Sequence, residues 1–185
     1  MGSFAAPEYR WRYREPVIVG DGTSLVRGPD DGHLLGLGFT QVRLVLTGKD
    51  TGGAFAVSQQ PLQPRTLAGP LHRHTHEDGF IYVMRGRIGA QLDERVVYAD
   101  EGATIMVPKG LRHTFWNPTD TPSEVLELFT PAGLEGWFIE LAEIVASGSF
   151  DIADIVESGR RFGTEFDLDS LEPLLSAHAL LLPGL

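Results

Sequence analysis

Three histidines stand two residues apart, at His72, His74 and His76, between Gly69 and Gly86. On a β-strand, side chains alternate between the two faces, so residues i, i+2 and i+4 point the same way. Neutral imidazole is the commonest metal ligand among protein side chains. If the strand runs straight as far as His76, the pattern predicts a row of imidazoles on the inner face of a sheet, suited to a buried metal ion.

Residues 102–117 predict a strand, a tight turn and a second strand. Pro108 fixes its own φ and Gly110 accepts a positive φ, which together favour a turn. The turn places His113 near the start of the returning strand. A third imidazole from a different strand would then lie beside the first two, as in a facial metal site with open positions.

The two segments resemble the two motifs of the cupin superfamily. The second motif is Gly, five residues, Pro-x-Gly, two residues, His, three residues, Asn, and the chain matches it throughout. The matching residues are Gly102, Pro108, Gly110, His113 and Asn117. The first motif is Gly, five residues, His-x-His, three or four residues, Glu, six residues, Gly. The chain matches it at His72, His74 and Gly86, whereas only two residues separate Gly69 from His72.

The flanking sequence is similar to small single-domain cupins related to quercetin dioxygenase. The resemblance implies an all-β fold, an antiparallel double-stranded β-helix, or jelly roll. It also implies one divalent metal ion (Fe, Ni, Mn, Co or Zn) held by His72, His74 and His113. The metal-binding Glu of the motif is expected at position 79, which is Gly79 here.

The missing Glu leaves three interpretations open. The first is a three-His site, as in cupin-like thiol and diketone dioxygenases, whose neutral ligands favour an anionic substrate. The second is a substitute fourth ligand, His76 or Glu77, and Glu77 is also the one candidate catalytic residue. The third is a site that has lost its metal and a barrel that only binds a ligand.

The favoured function is a mononuclear metal-dependent oxidoreductase, a dioxygenase of a small aromatic or enolic compound. Two alternatives remain, a non-redox cupin that binds a small molecule and a metal-dependent isomerase or cyclase. The predicted pocket walls are Gln59, Ile105, Phe115 and Phe129. No further cofactor is predicted.

Composition limits the partners. The net charge is −10, from 25 acidic and 15 basic residues, and such a surface repels nucleic acid and anionic membranes. The chain has no cysteine, so a metal must be bound through nitrogen and oxygen, and a reducing cytoplasmic location is expected. No apolar run is long enough to span a membrane, and the first residues lack a secretory pattern.

Short strand signals recur with Gly, Pro and Asp turns, a pattern typical of an antiparallel sandwich or barrel. We expect one domain, with an arm and short strands at 1–32, a barrel at 33–131 and C-terminal helices packed on it at 132–185. The predicted helices cover residues 134–146, 152–158 and 171–182. Trp137 and Phe138 lie on the apolar face of the first, which favours core packing or a cover over the mouth of the barrel.

The strand after the histidines is apolar on both faces, because Ile81 and Val83 alternate with Phe80, Tyr82 and Met84. An outward apolar face of this kind must be covered. Two-fold symmetric dimers are the commonest oligomers, so the sequence predicts a homodimer.

Overall fold

The computed structural model describes residues 17–19, 24–38 and 40–182. Residues 1–16 of the predicted arm and short strands at 1–32 therefore lie outside the described residues. The strands are β1 (Val17–Val19), β2 (Ser24–Val26), β3 (His33–Gly36), β4 (Gln41–Leu46), β5 (Ala56–Leu62), β6 (Leu71–His74), β7 (Asp78–Arg85), β8 (Arg87–Leu92), β9 (Arg95–Asp100), β10 (Thr104–Val107), β11 (His113–Trp116), β12 (Ser123–Thr130) and β13 (Thr164–Asp167). The helices are α1 (Gly48–Thr51), α2 (Glu135–Ser147), α3 (Ile152–Arg161) and α4 (Leu171–His178), with a 3₁₀ turn at Leu168–Ser170.

Two antiparallel sheets carry the fold. One has six strands in the order β10-β7-β12-β5-β4-β3, and the other has five in the order β13-β6-β11-β8-β9. Their inner faces share one apolar cluster, in which Val83 and Val125 of the six-stranded sheet join Ile88 and Phe115 of the five-stranded sheet. The predicted antiparallel double-stranded β-helix is confirmed.

The strands follow the alternation that a two-faced sheet requires. Along β12, the residues from Ser123 to Phe129 alternate between buried and half-buried side chains. Glycines with positive φ close the turns around them, at Gly86, Gly102 and Gly110. Because only glycine takes that conformation without strain, three motif glycines are explained by the turns they make.

The outer face of the five-stranded sheet is covered by α4. Trp116 is fully buried there with Leu67, Leu174 and Leu180. The neighbouring strand makes room for the indole at Gly89, where a Cβ atom would clash with Trp116 Cε2. The C-terminal helix therefore covers one sheet face from outside, while α2 packs at the mouth of the barrel.

Helix α2 starts and ends within one residue of its sequence-based prediction, α3 continues beyond residue 158, and α4 ends before residue 182. Asp151 caps α3, because its side chain accepts hydrogen bonds from the N–H groups of Ala153 and Asp154. The short strand β13 was not predicted, and it extends the five-stranded sheet beside β6. Within the described residues, no helix has the length and apolar character needed to cross a membrane.

Candidate metal centre

Two adjacent strands of the five-stranded sheet bring His72, His74 and His113 together. His72 and His74 share one face of β6, and His113 on β11 lies directly opposite His72 in the antiparallel register. The ring of His72 lies 5.0 Å from that of His74 and 4.4 Å from that of His113, centroid to centroid. One ligand nitrogen from each ring lies within 4.8 Å of the other two. The three candidate ligands therefore converge on the inner face of the barrel.

A hydrogen bond at Nδ1 orients each of the three rings. The Nδ1 atom of His72 lies 2.9 Å from the Pro70 carbonyl oxygen, and that of His113 lies 3.1 Å from the Leu111 carbonyl oxygen. The Nδ1 atom of His74 lies 3.1 Å from Thr164 Oγ1. Because a carbonyl oxygen only accepts, His72 and His113 carry the proton on Nδ1. The Nε2 lone pair is then left free, as metal ligation requires.

Burial keeps these rings neutral. Removal from water, reinforced by the neighbouring His113, lowers the pKa of His72 to about 3. The pKa of His74 lies well below its ordinary value for the same reason, with further lowering by His72 and His113. Burial also lowers the pKa of His113. Near neutral pH, the site therefore offers lone pairs rather than positive charge, and this donor set fits a divalent transition metal.

The turn motif is tied directly to the histidine strand. The Gly110 N–H donates to the His74 carbonyl oxygen at 2.7 Å, so the turn after β10 fixes the end of β6. Asn117, the last residue of the second motif, is fully buried and its amide donates to the carbonyl oxygens of Leu62 and Thr121. These contacts give Gly110 and Asn117 structural roles beside the histidines.

Strand β6 ends at His74, so the row of imidazoles does not extend to His76. His76 is exposed in the turn that follows. Glu77 is buried with Oε2 unpaired, and burial raises its pKa. Neither residue belongs to the ligand group, which among the described residues comprises His72, His74 and His113. Gly79 is buried opposite Phe129 on β12, so no carboxylate approaches from the usual motif position.

A cavity of about 90 Å³ opens in front of His72 and His74. Two of the predicted wall residues, Phe115 and Phe129, line it. Two others do not. Gln59 faces the other side of β5, where it hydrogen-bonds Arg43 and Glu124, and Gln60 lines the cavity in its place. Ile105 is part of the apolar cluster between the sheets.

The C-terminal elements complete the cavity. Trp137 and Phe138 of α2 and Phe166 of β13 line it, and the Phe166 ring lies 5.7 Å from the His72 ring. Trp137 and Phe138 also belong to a buried apolar cluster, so the two predicted roles of that helix face coexist. The cavity is consequently closed by residues that lie outside both histidine motifs.

Sequence reasoning missed Glu127, a buried carboxylate in the same cavity. It lies on β12, with Val125 and Phe129 on its face of the strand. Burial is the one cause that raises its pKa, to about 7. Its neighbours along the chain, Leu126 and Leu128, are as apolar as Val125 and Phe129, so only the observed register shows that Glu127 points inward.

Thr164 provides a test of how the His74 ring is held. Thr164→Val keeps the shape of the side chain and removes the oxygen near His74 Nδ1. Loss of a partner of this kind weakens metal binding by about 10- to 100-fold. We expect a weakening of that size for zinc, measured by competition with a chromogenic chelator. Thr164→Ser keeps the hydroxyl and should bind zinc like the wild type; equal affinity for the valine variant would contradict this role.

The family model of the cupin domain matches residues 59–129, which contain the three histidines and Glu127. None of the curated proteins compared with this chain matches it.

Three of the solved structures that are similar to this chain are described by different activities. A sugar phosphate isomerase from a cupin superfamily, from Silicibacter pomeroyi, is 24% identical, with a TM-score of 0.46 over 51% of this chain and 61% of that chain. A predicted oxalate decarboxylase from Thermotoga maritima is 20% identical, with a TM-score of 0.47 over 50% of this chain and 80% of that one. The polyketide cyclase RemF from Streptomyces resistomycificus is 23% identical, with a TM-score of 0.45 over 50% and 65%. The match to the isomerase thus spans less than two thirds of that protein.

Proposed function

We propose that this chain, a cupin-superfamily protein through its domain at residues 59–129, is a mononuclear metal-dependent oxidoreductase that dioxygenates a small enolic or aromatic compound. The convergence of three neutral imidazoles within 4.8 Å, next to a cavity, is the observation that supports it. A divalent metal bound there would lower the pKa of a substrate hydroxyl and hold dioxygen beside it. His72, His74 and His113 would be its ligands.

The protein's own residues restrict what can enter. The aromatic side chains of Phe115, Phe129, Trp137 and Phe166 line the cavity beside His72 and His74. The cavity beside the histidines has a volume of about 90 Å³. A compact enol or diketone fits this space better than a three-ring flavonol, which would need the helices to move.

Metal analysis together with oxygen consumption tests the proposal. Protein purified without chelator should contain close to one Fe, Ni, Mn or Co per chain. It should consume oxygen with small diketones, enols or catechols, and less readily with flavonols. Redox-active metal without oxygen uptake across that panel would contradict the dioxygenase assignment.

A metal-dependent isomerase or cyclase is the second candidate, and Glu127 is the observation that favours it. A buried carboxylate facing a cavity is suited to moving protons, which is the work of isomerases. Zinc in the purified protein, with substrate turnover and no oxygen uptake, would favour this candidate. Absence of metal would leave a cupin that only binds a small molecule.

We also propose that the protein is a homodimer. Tyr82, Met84 and Met106 are exposed together on the outer face of the six-stranded sheet. A second copy would remove these apolar side chains from water. Light scattering at micromolar concentration should give twice the mass of the chain, and Met106→Glu should shift it towards the monomer. Ile139→Glu, on the exposed face of α2, is the control. A monomeric wild type would overturn the proposal.

A further inference from the structure

Within the described part of the chain, Glu127 has no charged partner. On the inner face of β12, Glu127 lies between Val125 and Phe129. Its antiparallel partners are Ser58 on β5 and Ile81 on β7. None of the described residues donates a hydrogen bond to its carboxylate, and burial alone shifts its pKa. Among the described residues that line the cavity, the other titratable groups are His72 and His74. A buried carboxylate with no structural partner requires an explanation.

The polar groups of the cavity stand on opposite walls. The imidazoles belong to the five-stranded sheet, whereas Glu127 and Gln60 belong to the six-stranded sheet. Gln60 donates to Thr40 Oγ1 at 3.2 Å, so its amide is held at that wall. Facing sheets lie about 10 Å apart, a distance that a molecule of a few heavy atoms can bridge. The walls between the two polar ends are apolar.

We propose that Glu127 is a catalytic residue, the general base and acid that exchanges a proton with a small enolisable carbonyl compound bridging the two walls. This inference rests on the proposed function of the histidine site. The carboxylate oxygen takes a proton from the carbon next to the carbonyl. The C–H bond breaks, an O–H bond forms on Glu127, and the electron pair moves to the carbonyl oxygen as an enolate.

The geometry explains why this residue suits the step. The substrate oxygen faces the imidazoles, so the carbon that loses its proton faces the opposite wall, where Glu127 stands. Burial leaves the carboxylate without competing donors, which makes it a stronger base than an exposed glutamate. A base whose pKa lies near the working pH transfers protons most effectively in both directions. Return of the proton to a different carbon would give an isomer, and return to the same carbon gives exchange.

Direct titration of the carboxyl group is the first test and needs no activity. In protein labelled with ¹³C at the glutamate δ-carbon, one resonance should titrate with a midpoint near pH 7. That resonance should be missing in Glu127→Gln and present in Glu124→Gln, which lies on the opposite face of β12. Titration of every glutamate in the ordinary acidic range would overturn the proposal.

Proton exchange is the second test and involves no oxygen chemistry. Zinc-loaded protein is incubated without oxygen in D₂O with acetoin, and loss of the C3 proton signal is followed by NMR. We expect Glu127→Gln to exchange at least about 100-fold more slowly, since general base catalysis contributes about 10²–10⁴-fold. Glu124→Gln should match the wild type, and both variants should bind zinc normally.

Equal exchange by Glu127→Gln and wild type, or no exchange by the wild type, would overturn the role of Glu127. Failure of oxygen uptake with redox-active metals would instead remove the dioxygenase function and leave this result unaffected. If Glu127→Gln lost its zinc as well, the carboxylate would be a ligand rather than a base, and the proposal would be wrong. The two proposals can therefore fail separately.

Discussion

His74→Ala and His113→Ala should each lose stoichiometric metal, with affinity reduced at least about 100-fold. Each ring contributes one of three ligand nitrogens that lie within 4.8 Å of one another. Loss of an outer hydrogen-bond partner alone costs about 10- to 100-fold in metal affinity, so loss of a ligand should cost more. The measurement is metal content after gel filtration, followed by competition with a chelator.

Neighbouring residues provide matched controls. His76→Ala removes an imidazole two residues beyond His74 that is exposed in the turn, and Glu77→Ala removes the carboxylate next to it. Both variants should keep one metal per chain. Circular dichroism confirms folding of the buried-site variants, and His113→Asn provides a polar replacement if alanine leaves too large a cavity. Full metal content in both histidine variants would refute the three-imidazole site, and loss in Glu77→Ala would identify a fourth ligand.

The two histidine motifs were predictable because their chemistry is local. Alternation on a strand fixes which faces His72 and His74 share, and the Pro108–Gly110 turn fixes where His113 returns. Wherever one face was clearly apolar and the turn residues were distinctive, the sequence predicted both fold and placement.

The cavity walls were harder to predict because alternation fails where both faces are covered. Strand β5 is buried along its whole length, so Gln59 and Gln60 are indistinguishable by pattern. The prediction named Gln59, whereas Gln60 lines the cavity. On β12, Leu126 and Leu128 are as apolar as Val125 and Phe129, which hid the inward direction of Glu127. A face can be assigned from sequence only when the two faces differ in polarity.

Thr164 was missed for another reason. The strand that carries it, β13, is four residues long and follows two helices. Its place beside β6 depends on the return of the chain from α3, which no local pattern encodes. The partner of His74 therefore comes from about 90 residues away, through tertiary structure alone.

The stability of Glu127→Gln relative to wild type should depend strongly on pH. Burial raises the pKa of Glu127 from 4.5 to about 7 in the folded protein. Between these values the folded state holds a proton that the unfolded chain releases, so wild-type stability falls as the pH rises through this window. The gap of about 2.5 pH units, at about 1.4 kcal/mol each, corresponds to a loss of about 3 to 4 kcal/mol above pH 7. Glutamine stays neutral throughout and avoids this loss.

Urea unfolding of the metal-free proteins from about pH 4 to about pH 8.5 measures the difference. At the acidic end the two proteins should have similar free energies of unfolding, because both side chains are neutral. Above about pH 7 the variant should be more stable, by up to about 3 to 4 kcal/mol. The buried histidines contribute their own pH dependence with the opposite sign, but it is common to both proteins and cancels in the difference. Glu124→Gln is the control for losing a carboxylate from β12. A difference in unfolding free energy between Glu127→Gln and wild type that does not change with pH would contradict the prediction. It would show that Glu127 has an ordinary pKa, because water or a charge reaches it inside the barrel.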